Sequence, residues 1–197
     1  MLKVSVIGAG ITGITTAYYL AKRGAYVTIY DERRYPAMAT SYANGGQLSA
    51  SNAEVWNSWR NVQKGLKWLT KADAPLKINP SPSFEKYSWL LKFMLEIKNA
   101  EKNTEQTCRW ALEAHQLYKN IATEENINFD KVEKGILHVY SDKDEFANAH
   151  KVNEIYRRAG LERWAVTAEE CFNIEPALKR SNSLIGGFYN TSDYTGD

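Results

Sequence analysis

Gly8-Ala9-Gly10-Ile11-Thr12-Gly13 lies between an apolar run, Lys3-Val4-Ser5-Val6-Ile7, and a segment from Ile14 to Leu20 that suits a helix ending at Gly24. A strand, a glycine turn and a helix in that order begin a βαβ unit. Gly8 permits the sharp turn, Gly10 lets the backbone approach a pyrophosphate closely, and Gly13 allows the helix to pack tightly on the strand. The phosphates would meet free N–H groups at the positive end of the helix dipole.

GxGxxG alone is a weak signal, so the next strand carries weight. Tyr26-Val27-Thr28-Ile29-Tyr30 delivers Asp31 at its carboxyl end, eighteen residues beyond Gly13, where an acid can accept hydrogen bonds from a ribose diol. The bland alternative is a strand-end aspartate on an ordinary βαβ unit. Strand, glycines, helix, second strand and acid in one register favour dinucleotide binding over it.

With 197 residues, 44% of them hydrophobic, the chain has enough apolar content for a real core in one large or two small domains. Its 25 basic and 23 acidic residues leave a formal net charge of +2, which gives no electrostatic argument for nucleic acid. Cys108 and Cys171 lie far apart, without a CxxC or histidine cluster, and read as buried free thiols rather than a metal site or disulfide. No signal segment opens the chain, and no run approaches the roughly 18 apolar residues that span a bilayer. A cytoplasmic protein, soluble or peripheral on the inner face of the membrane, is the expectation.

Thr40-Ser41-Tyr42-Ala43-Asn44-Gly45-Gly46-Gln47-Leu48-Ser49 is dense in small and hydrogen-bonding residues. Taken alone it reads as an exposed turn. Placed after an acid-ended second strand, it reads as a second cofactor loop.

These residues carry a resemblance. VSVIGAGITGITTAYYLAKRG, VTIYDER and above all TSYANGGQLSA resemble the D-amino-acid dehydrogenase small subunit, within the wider D-amino-acid oxidase and glycine oxidase group of flavoproteins. ADAPLKI (72–78), GILHVY (135–140), IEPAL (174–178) and DYTGD (193–197) extend it down the chain. The resemblance implies a Rossmann-like FAD-binding domain of α/β class, followed by part of an α+β substrate domain. It gives the FAD pyrophosphate to Gly8, Gly10 and Gly13 with the intervening Ala9, Ile11 and Thr12. The adenosine ribose goes to Asp31, and the diphosphate and flavin to Ser41, Asn44, Gly45, Gly46 and Gln47. On this reading residues 1–50 begin the FAD domain, 51–130 form a mainly helical segment and 131–197 a partial substrate domain.

Four of the six tryptophans fall between Ser51 and Lys102, interleaved with basic residues. Val55, Trp59, Val62, Leu66 and Leu69 would share one helix face, with Arg60, Lys64, Lys67 and Lys71 on or near the other. The expectation is a surface helix whose apolar face packs on the protein's own core. The alternative is an interfacial anchor, favoured by the resemblance because such dehydrogenases pass electrons to a respiratory acceptor. Pro75, Pro80 and Pro82 then interrupt the chain. Ser83 caps a helix from Phe84 to about Asn99, with Trp89, Leu90, Phe93, Met94 and Ile97 as its buried stripe.

A further helix, about Thr104 to Glu125, brings Cys108, Ala111, Leu112, His115 and Tyr118 near one another. His115 has no partner acid at suitable spacing, so neither it nor His138 or His150 is given a catalytic role. Strands are expected at Ile127–Phe129, Gly135–Tyr140, Trp164–Val166 and Ser183–Tyr189. Ser141 with Asp144, and Thr167 with Glu170, form capping boxes, and the helix between them ends at Gly160.

The resemblance implies FAD-dependent oxidation of a D-amino acid to an imine, hydrolysed to a 2-oxo acid and ammonia. Relatives of that kind are about twice as long. Their later half completes the FAD sheet and supplies the arginine that holds the substrate carboxylate, so this chain is expected to be truncated, inactive alone or completed by a partner chain. No catalytic residue and no metal ligand is assigned within it. Three alternatives stand beside this reading: a non-catalytic FAD-binding subunit, a glycine- or sarcosine-type amine oxidase, and an NAD-dependent dehydrogenase. Asp31 would serve the last equally well, but the Asn44-Gly45-Gly46 loop argues against it.

Overall fold

The computed structural model describes residues 1–69, 73–74, 79 and 81–196. The chain divides into two compact units, Met1–Gly46 and Gln47–Asp197.

In the first unit, β1 (Lys3–Ile7), α1 (Ile11–Lys22) and β2 (Tyr26–Tyr30) form the expected βαβ start, with the strands parallel from Lys3↔Tyr26 to Ile7↔Tyr30. Val4 and Val6 are half-buried and Ala17 of α1 is buried. Lys3, Ser5 and Ile7 occupy the opposite face of β1 and are exposed, Ile7 at 91%. Gly24, at φ +85°, takes the left-handed position after α1 and donates its N–H to Ala21 O at 2.8 Å.

The second unit runs β3 (Gln47–Leu48), a 3-10 turn at 50–52, α2 (Trp59–Trp68) and α3 (Phe84–Leu95). A short 3-10 segment leads from α3 into α4 (Ala100–Glu124). Then come β4 (Ile136–Tyr140), α5 (Lys143–Ala159), β5 (Trp164–Thr167), α6 (Ala168–Ile174), β6 (Gly186–Asn190) and β7 (Tyr194–Thr195). Strands β4, β6 and β5 make an antiparallel sheet with β6 at its centre, and β3 pairs antiparallel with β7. The core gathers Ala50, Ala53, Cys108, Val152, Tyr156, Ala159 and Leu161, where the turn after β3 meets α4 and α5. Both cysteines are free and buried.

Side-chain caps set several helix starts. Ser58 and Ser83 accept the N–H groups of Asn61 and Lys86, each at 3.2 Å. Thr167 and Glu170 form the reciprocal capping box expected of them.

Five local expectations are corrected. Ile127–Phe129 is not a strand: Ile127 donates back to Ala122 O and closes the end of α4. The cap of α5 is Asp142, which accepts Glu145 N–H at 2.8 Å, one residue later than the Ser141 box. Helix α4 begins four residues earlier than Thr104, because the 3-10 segment carries α3 into it without a break.

The last long strand begins at Gly186 rather than Ser183. Paired glycines look poor for a strand, yet a Cβ on Gly187 would stand 2.6 Å from His138 O and 3.0 Å from Cys171 Sγ. Close strand approach requires glycine there.

The apolar faces of α2 and α3 are only partly covered. Trp59, Leu66, Leu69, Trp89 and Met94 are exposed, while Val55, Val62, Leu90, Phe93 and Ile97 are half-buried. Helical spacing shows that such residues share a face, and a packing partner is needed to bury it. Thr70 to Ala72, Pro75 to Ile78 and Pro80 lie outside the described residues, so Lys71, two of the three prolines and five of the seven residues of ADAPLKI do too. Among the described residues no helix is long and apolar enough to cross a membrane, and no cluster of histidine, cysteine or acidic residues could hold a metal ion.

Candidate functional site

The turn after β1 is fixed from both sides. Gly8, at φ +99°, donates its N–H to Tyr30 O at 2.7 Å, and Ala37 donates to Ala9 O at 2.9 Å. Ala9 donates to Asp31 Oδ2 at 2.6 Å, while Arg33 N–H reaches Asp31 Oδ1 at 2.8 Å. The Ala9 bond first, then the Arg33 bond, hold the exposed Asp31 carboxyl below its ordinary pKa. Each carboxylate oxygen keeps a further lone pair, so these bonds leave acceptor capacity for a ribose diol.

Ser41 comes from the second loop and accepts Ile11 N–H at 3.0 Å, which caps the first helical residue. Asn44 turns back on the same loop, with Nδ2 to Ser41 O at 3.4 Å and Oδ1 accepting Gly46 N–H at 2.7 Å. The glycine turn, Asp31, Ser41, Asn44, Gly45 and Gly46 thus belong to one unit. Thr12 and Gly13 are first-turn residues of α1, whose N–H groups have no partner within a helix. Gln47 belongs to the second unit, where it stands opposite Thr195 in the β3–β7 pair.

The glycines differ in what requires them. A Cβ on Gly13 would stand 1.9 Å from Gly8 O, so strand–helix packing forbids any side chain there. Gly10 has an ordinary extended backbone, φ −75° and ψ −178°, and a Cβ would meet only Ser41 Oγ, at 3.4 Å. Nothing inside the unit demands glycine at that position, and a bare backbone at a helix N-terminus suits an external pyrophosphate. The residues present therefore fit a dinucleotide.

The second unit holds a buried polar cluster that the sequence did not reveal. Asp193 is fully buried and accepts Ala50 N–H at 3.0 Å, Ser51 N–H at 3.1 Å, and the hydroxyls of Ser49 and Ser51. His138 Nε2 lies 2.6 Å from Ser51 Oγ, and His115 Nδ1 is 4.0 Å from Asp193 Oδ1. Burial lowers the pKa of both histidines against the opposing charge of Asp193. His115 therefore has a partner acid after all, brought from the far end of the chain, where no local spacing could show it. His150, by contrast, packs its ring edgewise on Phe146 and Phe188.

Known proteins agree with this architecture. The D-amino acid dehydrogenase 3 of Mesorhizobium japonicum is 55% identical over the whole chain, and the D-amino acid dehydrogenase of Paramagnetospirillum magneticum is 42% identical over 202 aligned residues. The chain spans about half the length of the curated relatives it matches, 47% in both cases. Glycine oxidase from Geobacillus kaustophilus superposes with a TM-score of 0.61 at 19% identity, over all of this chain and 41% of that one, a likeness of fold. A family profile described as FAD dependent oxidoreductase matches residues 3–197, and the chain belongs to that family.

Proposed function

We propose that the first unit binds FAD and that the protein to which this chain belongs oxidises D-amino acids to imines, which water converts to 2-oxo acids and ammonia. The observation that carries the cofactor reading is Gly10, a glycine with no internal reason to be one, set at the N-terminus of α1 beside Ser41. The identity with D-amino acid dehydrogenases over the full chain supports the substrate class.

When bound, FAD supplies the two-electron oxidation of the substrate. The protein's part is to hold it: N–H groups at the start of α1 face the pyrophosphate, Asp31 accepts from the ribose, and Asn44, Gly45 and Gly46 lie along the diphosphate. Gln47 follows directly on that loop and takes a flavin contact in this reading. No residue of this chain is assigned to proton transfer.

The exposed Trp59 and Leu66 of α2 and Leu69 at its end, with Trp89 of α3, support peripheral contact with a membrane and delivery of electrons to a respiratory acceptor there. The uncovered Lys3–Ser5–Ile7 face supports a further layer of protein on β1, since parallel sheets are normally covered on both faces.

Visible absorption of the purified chain, recorded before and after FAD and then after anaerobic D-alanine, tests the proposal. A protein-bound flavin spectrum that bleaches with D-alanine is expected from a competent enzyme. Retained flavin that does not bleach supports the second reading, a cofactor-binding module without activity of its own, which the half-length match favours. Failure to retain any flavin overturns the cofactor assignment.

A further inference from the structure

Asn44–Gly45 is the only asparagine–glycine pair in the sequence, and both residues are exposed. The pair is held in an Asx turn: Asn44 Oδ1 accepts the N–H of Gly46, two residues on, at 2.7 Å. The side-chain amide is thereby folded back over the Asn44–Gly45 peptide. Gly45 N–H meets no acceptor among the described residues, so nothing engages the nitrogen beside that amide. Nothing crowds it either. A Cβ on Gly45 would meet no atom within 4 Å, and the left-handed backbone of this turn belongs to Gly46, at φ +58°, and not to Gly45. The amide nitrogen of Asn44 is held loosely, Nδ2 donating to Ser41 O at 3.4 Å.

A free backbone nitrogen and a carboxamide carbon that can close a five-membered ring are already joined in one chain, which removes the entropy of bringing them together. The turn adds an electrostatic element. Gly46 N–H sits on Oδ1, the oxygen that becomes negative when Cγ is attacked, and stabilises that charge as an oxyanion-hole donor does.

We propose that Asn44 is a site of self-modification, at which the Gly45 nitrogen attacks Asn44 Cγ and the loop deamidates through a cyclic imide. The Gly45 N–Cγ bond forms, the Cγ–Nδ2 bond breaks, and Nδ2 departs as ammonia with the proton that Gly45 gave up. Water then opens the imide at either carbonyl and leaves aspartate or its β-linked isomer. Nothing is oxidised or reduced, and water is the sole co-reactant. Either product places a negative charge where a neutral amide stood. The consequence for the cofactor rests on the FAD reading given above, in which Asn44 lies along the diphosphate and a like charge there opposes its retention. Affinity for FAD therefore falls as the chain ages.

The test is peptide mapping by mass spectrometry of the full 197-residue chain, kept at pH 7.5 without flavin, with Asn57 and Asn182 as internal references because each precedes a serine. Asn57 is half-buried and donates Nδ2 to Phe93 O at 3.2 Å, whereas Asn182 is exposed. Conversion at Asn44 is expected to be at least about tenfold faster than at either. It should be no slower in the folded chain than in the same chain unfolded in urea. Gly45→Ala, which nothing in the fold opposes, should slow it about tenfold by crowding the attacking nitrogen. Conversion at Asn44 no faster than at Asn182, clear protection by folding, or insensitivity to Gly45→Ala would each overturn the proposal. Partly converted chain is then mixed with FAD and separated by gel filtration. The flavin-bound fraction should be enriched in intact Asn44, and equal Asn44 content in bound and free fractions would overturn the link to cofactor retention. Peptide mapping needs no flavin, so a chain that binds none would overturn the FAD assignment and leave the modification standing.

Discussion

Ser51 gives both its backbone N–H and its hydroxyl to the same oxygen of Asp193, across 142 residues of sequence. With Ala50 N–H on the other oxygen, this carboxylate ties the turn after β3 to the segment leading into β7. It lies beside the β3–β7 pairing of Leu48 with Tyr194 and reinforces it.

Asp193→Ala should therefore be among the most damaging single changes in the second unit. It would leave the N–H groups of Ala50 and Ser51 buried without an acceptor, and a loss of about 3 kcal/mol is expected. Asp193→Asn, which keeps one acceptor oxygen, should cost roughly half as much. Urea denaturation of both variants checks the order.

Acid should destabilise the chain through His115 and His138. Burial lowers both native pKa values below the ordinary 6.5, so the unfolded chain takes up protons first as pH falls. The contribution is whole above about 6.5 and is lost as pH drops through the lower native values. Melting curves between pH 7.5 and 5.5 should show the decline. His138→Asn should flatten it, and an unchanged slope would remove His138 from the account.

Gly10 and Gly13 should separate folding from cofactor binding. Gly13→Ala places a carbon 1.9 Å from Gly8 O and must displace α1, costing about 1–3 kcal/mol of strain in the first unit. Gly10→Ala meets only Ser41 Oγ at 3.4 Å, so the fold should persist. FAD affinity should nevertheless fall by about tenfold or more, read by flavin fluorescence.

The exposed face of α2 should act on association rather than on stability. Trp59→Ser with Leu66→Ser is expected to reduce cosedimentation with anionic vesicles while shifting unfolding by no more than about 0.5 kcal/mol per site. A large loss of stability would mean that these side chains are packed on the protein.

Cys108 and Cys171 should resist alkylation until the chain unfolds. Both are fully buried, and burial pushes the Cys108 thiol up to about 11. Labelling rates with iodoacetamide across a denaturant series should follow global unfolding.

The first forty-six residues were legible because their information is local. A strand, a glycine turn, a helix and an acid-ended strand follow one another within the reach of neighbouring backbone, and Gly8, Gly13 and Gly24 each answer to a local backbone constraint. Capping by Thr167 and Glu170 and the stop at Gly160 were legible for the same reason. Tertiary structure alone decided which apolar faces find a partner, since α2 and α3 have the spacing of buried helices yet hold no fully buried residue. It also decided that Gly186 and Gly187 belong to a central strand, where neighbouring strands leave no room for a side chain. The partnership of Asp193 with Ser51, His138 and His115 depends on residues far apart in the sequence. Hydrogen bonds and burial across such separations exist only once the chain has closed on itself, so no periodicity or local spacing records them.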